Sequence, residues 1–247
     1  MLLDDPLSVT VEGPGLWVSN HQGADLTITV EARSAALDCD PPLPLTVTIP
    51  GGERVLVSER KGDEVWRLDE VRWFWTWGPL EARHDDTYVY RLPFTGRYKI
   101  SQGYGGRFSH TGDTRYALDF DVPPGTPVLA CRGGTVVALE ERYAAGGPRP
   151  YYRNRANRVI IKQDDGTLGE YDHFRENGVE VEVGQRVEPG TLIGYSGATG
   201  YVSGPHLHFM VYKALDGRNR QTFPTRFAVK GVPQPILLEQ GKSYATP

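Results

Sequence analysis

The stretch Gly204-Pro205-His206-Leu207-His208-Phe209, running on into Met210-Val211-Tyr212, decides how the rest of this 247-residue chain is read. If it is a strand, residues i and i+2 share a face, so both imidazoles look one way while Leu207 looks into a core. A His-x-His pair of this kind can set one or both rings at a metal ion. Taken alone, it reads equally as two surface histidines.

Upstream stand Ser109-His110-Thr111-Gly112 and Tyr116-Ala117-Leu118-Asp119-Phe120. A carboxylate between Leu118 and Phe120 is costly to bury unless a cation or a donor compensates it, and a metal ion would do so. A turn-capping aspartate is the competing reading. Between the two clusters, Glu170-Tyr171-Asp172-His173-Phe174 frames another histidine with aromatics, a pattern that also suits a structural histidine. Two histidines and an aspartate match in type the ligand sets that leave a fourth zinc position open for water. The His-Glu-x-x-His helix of common metalloproteases is absent. A serine nucleophile elbow is absent too, because Gly194-Tyr195-Ser196-Gly197-Ala198 lacks its second glycine.

Composition bounds the alternatives. Apolar residues at 39 % and charged residues at 23 % support a packed core and exclude a disordered chain. The net charge of -4, with no block of Lys or Arg, gives no footprint for nucleic acid, which is not expected as a partner. No apolar run approaches the length of a transmembrane segment. The start, Met1-Leu2-Leu3-Asp4-Asp5-Pro6, shows no signal peptide. Cys39 and Cys131 are too few for a cysteine-rich zinc module, and they read either as a pair or as two buried thiols.

The 29 glycines and 19 prolines punctuate short apolar runs throughout, which predicts an all-β protein. Alternation at Leu26/Ile28/Val30, Leu45/Val47/Ile49 and Val71/Trp73/Trp75/Trp77 predicts a small N-terminal β-sandwich over residues 1–90. The three tryptophans read as core, or as an exposed stripe for glycan. From 91 to 228 a second, glycine-dense domain carries further strand candidates at 127–130, 135–139, 158–162 and 179–183, and 229–247 reads as a C-terminal tail. Asp165-Gly166 predicts a hairpin with a type I′ turn. Arg142 to Arg155 reads as a surface loop, and His21 and His84 as solvated loop residues.

The joint pattern resembles the M23 peptidases, the LytM-like or lysostaphin-like zinc endopeptidases. The resemblance rests on Tyr116 to Ala130, Gly134-Thr135-Val136, Asn157 to Ile161, Asp165-Gly166-Thr167, Tyr171-Asp172-His173-Phe174, Val183-Gly184, and Ser196-Gly197-Ala198-Thr199-Gly200 through Phe209. It covers residues of roughly 100 to 215 and touches the first ninety only loosely. It implies an M23-like β-sheet peptidase domain with the duplicated hybrid motif, behind the N-terminal domain. It also implies a zinc-dependent metalloendopeptidase acting on cross-linking peptides of bacterial peptidoglycan, located in the periplasm, in the cell envelope or outside the cell.

The resemblance assigns zinc to Asp119 and to His208, the second histidine of His-x-His. Most members place the first histidine four residues before the aspartate, where this chain has Arg115, which cannot be a ligand. A minority carries a longer loop with a Ser-His-x-Gly segment upstream, and on that pattern His110 is the third ligand. His206 and His173 are implied to line the site, His206 as the general base and His173 as a donor to the oxyanion, with an exchange of the two roles left open. Tyr104 reads as near the site or as a packed aromatic. Gly197, Gly200 and Gly204 are expected to let a turn pass close to substrate backbone. Three alternatives stand beside this: a non-catalytic M23-like module that binds cell wall or activates other hydrolases, a secreted peptidase acting on foreign cells or other proteins, and, most remotely, a structural adhesin.

Overall fold

A computed structural model describes residues 6–33 and 37–247. The start of the chain, on which the signal-peptide reading rests, lies outside them at 1–5. The chain is built almost entirely from strands, with 3-10 turns at Leu68–Glu70, Gly112–Thr114 and Pro150–Tyr152. The all-β expectation holds. Contacts divide it into two units, Met1–Ala82 with Lys213–Gln221, and Arg83–Tyr212 with Thr222–Pro247.

In the first unit, β1 (Leu7–Glu12), β2 (Gly15–Asn20), β3 (Leu26–Ala32), β4 (Cys39–Asp40), β5 (Leu45–Ile49), β6 (Arg54–Arg60) and β7 (Val71–Trp77) form two antiparallel sheets, β1-β2-β6-β4 and β5-β3-β7. The alternating runs pair as their pattern requires. Ile28 lies opposite Val47 on one side and Trp75 on the other, and Val30 opposite Leu45 and Trp73. Ile28 and Val30 are fully buried, Trp77 is buried and Trp73 and Trp75 are half-buried, so the tryptophan face belongs to the unit's own packing. The other face of β3 carries Thr29, whose hydroxyl accepts from the Gly217 backbone N–H at 2.8 Å. Arg218 beside it lies over the Phe74 ring and pairs with Glu31.

The second unit holds β8 (Val89–Tyr90), β9 (Arg97–Gln102), β10 (Leu118–Asp121), β11 (Pro127–Leu129), β12 (Gly134–Glu140), β13 (Arg158–Lys162), β14 (Leu168–Asp172), β15 (Phe174–Val179), β16 (Arg186–Val187), β17 (Leu192–Ser196) and most of β18 (Leu207–Ala214). The chain then passes through β19 (Arg220–Phe223) into β20 (Arg226–Phe227) and β21 (Ser243–Ala245). The main sheet runs β16-β12-β13-β14-β18-β10-β9-β21, and a small sheet runs β11-β17-β15. Residues 229–247, expected as a tail, thus supply a strand, β21, which pairs with β9.

Leu118 and Phe120 of β10, Leu207 and Phe209 of β18 and Tyr171 of β14 are each 0–1 % exposed and join Val128, Phe174 and Ile193 in one hydrophobic cluster. That cluster occupies one face of the main sheet. By the period-2 rule Asp119, Asp172 and His208 must then project from the opposite face.

Three local expectations are corrected. Strand β15 ends at Val179, so the predicted strand at 179–183 is instead chain without regular secondary structure that enters a turn closed by Gln185 N–H to Glu182 O. The β13–β14 hairpin has positive φ at Gly166 only. Gly166 N–H bonds back to Gln163 O and Gln163 N–H to Thr167 O. This is a three-residue connection with glycine in the left-handed position rather than a type I′ turn. His84 is not solvated: its side chain is 4 % exposed, stacks on Phe223 at 4.5 Å and bonds to Asp86 at 2.8 Å. His21 is exposed, and Cys39 and Cys131 are free and buried.

Candidate metal centre

Strand register assembles the site as a row of side chains across five neighbouring strands. Gln102 of β9 lies opposite Asp119 of β10, Asp119 opposite His208 of β18, His208 opposite Asp172 of β14, and Asp172 opposite Arg158 of β13. Because these positions are cross-strand neighbours on one face, their side chains meet without any loop having to be positioned. Asp119 and His208 sit at the centre, with His208 Nδ1 2.8 Å from Asp119 Oδ1.

Loops bring the other histidines to this row. His110 comes from the segment between β9 and β10, which folds back through Gly106 N–H to Gly103 O and His110 N–H to Gly106 O. Its side chain is fully buried, Nδ1 donates to Gly103 O at 2.8 Å, and Nε2 stands 3.2 Å from Asp119 Oδ1. His206, just before β18, bonds through Nδ1 to Gly204 O at 2.9 Å and places Nε2 3.7 Å from Asp119 Oδ1. His173, between β14 and β15, bonds through Nδ1 to Thr199 O at 2.7 Å, and its ring lies 4.5 Å from that of His206. The structure therefore brings all five sequence-predicted residues together. Tyr104 does not join them: its hydroxyl bonds to Thr225 and its ring packs on Tyr116.

The ligand atoms of His110, Asp119 and His208 lie within 4.8 Å of one another. A tetrahedral ion with bonds of about 2.0–2.1 Å separates its ligand atoms by roughly 3.4 Å, close to the 2.8 and 3.2 Å found here. His110 Nε2 is buried and makes no hydrogen bond. With Nδ1 donating to Gly103 O, Nε2 and the carboxylate oxygen it faces can approach this closely only with positive charge between them, carried by a proton on Nε2 or by a metal ion. A cation satisfies both. The residues fit a metal ion.

Electrostatics agree. Burial alone would raise the Asp119 carboxyl, but the imidazoles of His110 and His208 at its oxygens outweigh burial and hold it far below the carboxylate range. Burial likewise opposes charge on His208, and its bond to Asp119 overcomes this and raises the ring. Burial pushes His173 well below the ordinary histidine value, with His206 and His208 adding to the effect, so this ring is neutral.

Two contributors were missed from the sequence. Gln102 donates to the second oxygen of Asp119 at 3.1 Å and to Ser109 Oγ at 2.7 Å, tying the aspartate to the loop that carries His110. Arg158 pairs with Asp172 and Glu170, at 3.4 Å each. It pairs with the carboxylate that stands opposite His208 in the sheet. Neither residue has a local motif. Each is at the site only because of strand pairing.

The cleft above the row, about 340 Å³, is at the small end of ligand-site volumes. Its walls include Phe108, Arg153, Tyr201 and Ser203. Gly200, expected to approach substrate, instead meets protein. It has φ +82°, and a Cβ there would lie 2.6 Å from the Ala156 side chain. Its partner in an isolated bridge is Gly146, whose added Cβ would stand 2.1 Å from Ala198 O, so the 142–155 loop lies directly on the 198–200 turn. Gly197 is likewise closed off by Arg175 backbone.

The model of Peptidase family M23 matches residues 113–222, a segment that begins just after His110. Curated relatives include the glycyl-glycine endopeptidase ALE-1 of Staphylococcus capitis, 36% identical over 114 residues that cover 45% of this chain and 28% of the relative. The peptidoglycan DD-endopeptidase ShyA of Vibrio cholerae is 34% identical over 123 residues, covering 48% and 26%. Among solved structures, the antimicrobial peptidase lysostaphin from Staphylococcus simulans aligns at 29% identity with a TM-score of 0.39, covering 53% of this chain and 50% of that one. The chain spans about a third or less of the length of the curated relatives it matches. No helix among the described residues is long and apolar enough to cross a membrane.

Proposed function

Taking as premise that residues 113–222 belong to peptidase family M23, we propose that this protein is a zinc-dependent endopeptidase that hydrolyses cross-linking peptides of bacterial peptidoglycan, with His110, Asp119 and His208 as the metal ligands. The observation that supports this most is the buried, unpartnered His110 Nε2 facing Asp119 Oδ1. Relatives that bear the names of a glycyl-glycine and a peptidoglycan endopeptidase support the substrate class, and with it a location at the cell envelope or outside the cell.

Zinc bound there supplies Lewis-acid polarisation of the scissile carbonyl and of the attacking water. The protein handles the proton. His206, its Nδ1–H held by Gly204 O, presents Nε2 as an acceptor and takes a proton from the water as its oxygen adds to the carbonyl carbon. The same proton passes to the leaving nitrogen as the C–N bond breaks. His173 shares this tautomer through Thr199 O. As a neutral ring it accepts at Nε2, which fits holding an N–H or O–H of peptide or water better than donating to an oxyanion. Retention of the whole His-Asp-His set weighs against a non-catalytic module.

The test is zinc content per chain together with release of new amino groups from purified peptidoglycan, for the wild type and His206→Ala. One zinc in both, with amine release by the wild type alone, is expected. A wild type that holds no zinc overturns the proposal.

A further inference from the structure

Among the described residues lining the cleft, the permanent cations are Arg153 and Arg158. Arg158 is committed to Asp172 and Glu170. Arg153 is exposed and makes no ion pair among the described residues; its guanidinium lies 5.8 Å from the centre of the Tyr201 ring. Tyr201 in turn stacks with Phe108, the rings 6.4 Å apart and 9° from parallel. An arginine backed by an aromatic face has its fork oriented while its donors remain free.

This arginine stands on a fixed loop. Pro150–Tyr152 form a 3-10 turn capped by Arg153 N–H to Pro150 O at 3.1 Å. Upstream, Gly147 N–H bonds to Gly200 O at 2.9 Å, and the Asn157 side chain holds both the N–H and the C=O of Tyr143. A planar donor fork held at the wall of this cleft, with no acceptor among the described residues, matches a carboxylate.

We infer that Arg153, with Tyr201 under its guanidinium, forms a subsite for a carboxylate of the bound peptide. The substrate class is therefore carboxylate-bearing cross-link peptides rather than neutral glycine bridges. This rests on the peptidase reading for the choice of peptide as ligand, but the subsite itself is a matter of binding. Its partner is a side-chain or a terminal carboxylate flanking the bond held at the metal centre.

The experiment is calorimetric binding to the full chain with zinc present and His206→Ala in place, so that bound peptide stays intact. The probes are cross-linked peptides purified from peptidoglycan, before and after conversion of their carboxylates to amides. A third probe amidated only at its C-terminus separates terminal from side-chain recognition. The native peptide is expected to bind about five- to tenfold more tightly than the amidated one. Adding Arg153→Gln should erase that difference, Arg153→Lys should keep part of it, and Arg149→Gln on the same loop should leave it intact. Equal binding of native and amidated peptides, binding of neither, or a preference that survives Arg153→Gln overturns the subsite. Carboxylate-selective binding by a chain whose wild type releases no amines would leave the subsite standing and count against the hydrolase.

Discussion

Nε2 of His110 and Oδ1 of Asp119 stand 3.2 Å apart, while Nδ1 of the same ring donates to Gly103 O. Positive charge is needed between the two atoms, and a metal ion that both ligate supplies it as well as a proton on the ring does.

The first consequence concerns which residue completes the ligand set. His110→Ala is expected to lose stoichiometric zinc, whereas Arg115→Ala, at the exposed end of the 3-10 turn at Gly112–Thr114, keeps it. Metal analysis after gel filtration decides. The opposite pattern would put the third ligand elsewhere.

A second prediction concerns Gln102. By holding the second oxygen of Asp119 and Ser109 together, it fixes the orientation of a proposed ligand without being one. Gln102→Leu should weaken zinc affinity by about 10–100-fold in a chelator competition while leaving the thermal midpoint nearly unchanged. An unaltered affinity would reduce Gln102 to a wall of the cleft.

The two non-ligand histidines should separate from the ligands in a different measurement. His173→Gln and His206→Ala are each expected to retain one zinc and to slow turnover by about 10²–10⁴, while His208→Ala loses metal and turnover together. Turnover at the wild-type rate in either of the first two variants would remove that residue from the chemistry.

Acid stability should depend on Asp165. Burial would raise its carboxyl, but donors from Thr167, the Asp85 N–H and Arg132 outweigh it and hold the group below the ordinary value of about 3.9. A folded-state value below the unfolded one stabilises above the unfolded pKa. The contribution is lost as pH falls through the folded value. Asp165→Asn should therefore cost about 1–3 kcal/mol near neutrality and flatten the acid limb of denaturation midpoint against pH. A variant whose acid limb parallels that of the wild type would show the charge to be irrelevant.

The centre of the site was legible in the sequence because its members betray themselves locally. Asp119 sits between two core residues, and His208 is two positions from His206 with Leu207 between them. Register explains what was hidden. Gln102 and Arg158 face the site only because β9 and β13 lie where they do in the sheet, and nothing in a single sequence states which strand neighbours which. The same reason conceals the Arg218–Glu31 pair, whose members are 187 residues apart, and the stacking of His84 on Phe223. The hairpin at Asp165-Gly166 was seen but its turn type was not. The pair fits two loop lengths, and the bond from Gln163 N–H to Thr167 O chooses between them. The loop to His110 was recognised by resemblance alone, since nothing in its composition distinguishes it from a solvated turn.

His173 carries φ 74°, a left-handed backbone that costs a bulky residue roughly 1–3 kcal/mol and that glycine adopts freely. Its backbone N–H is bonded to Asn157 O, so the angle is imposed by the surrounding chain and not chosen by the side chain. If His173 acts as proposed, stability and catalysis pull in opposite directions at this position. His173→Gly should melt higher than His173→Ala, and a library selected for heat resistance alone should drift toward glycine here and surrender turnover as it does so. The protein tolerates a locally unfavourable conformation at the point where the proposed mechanism uses this imidazole, and on that reading thermostabilisation by consensus or by screening should leave the residue untouched.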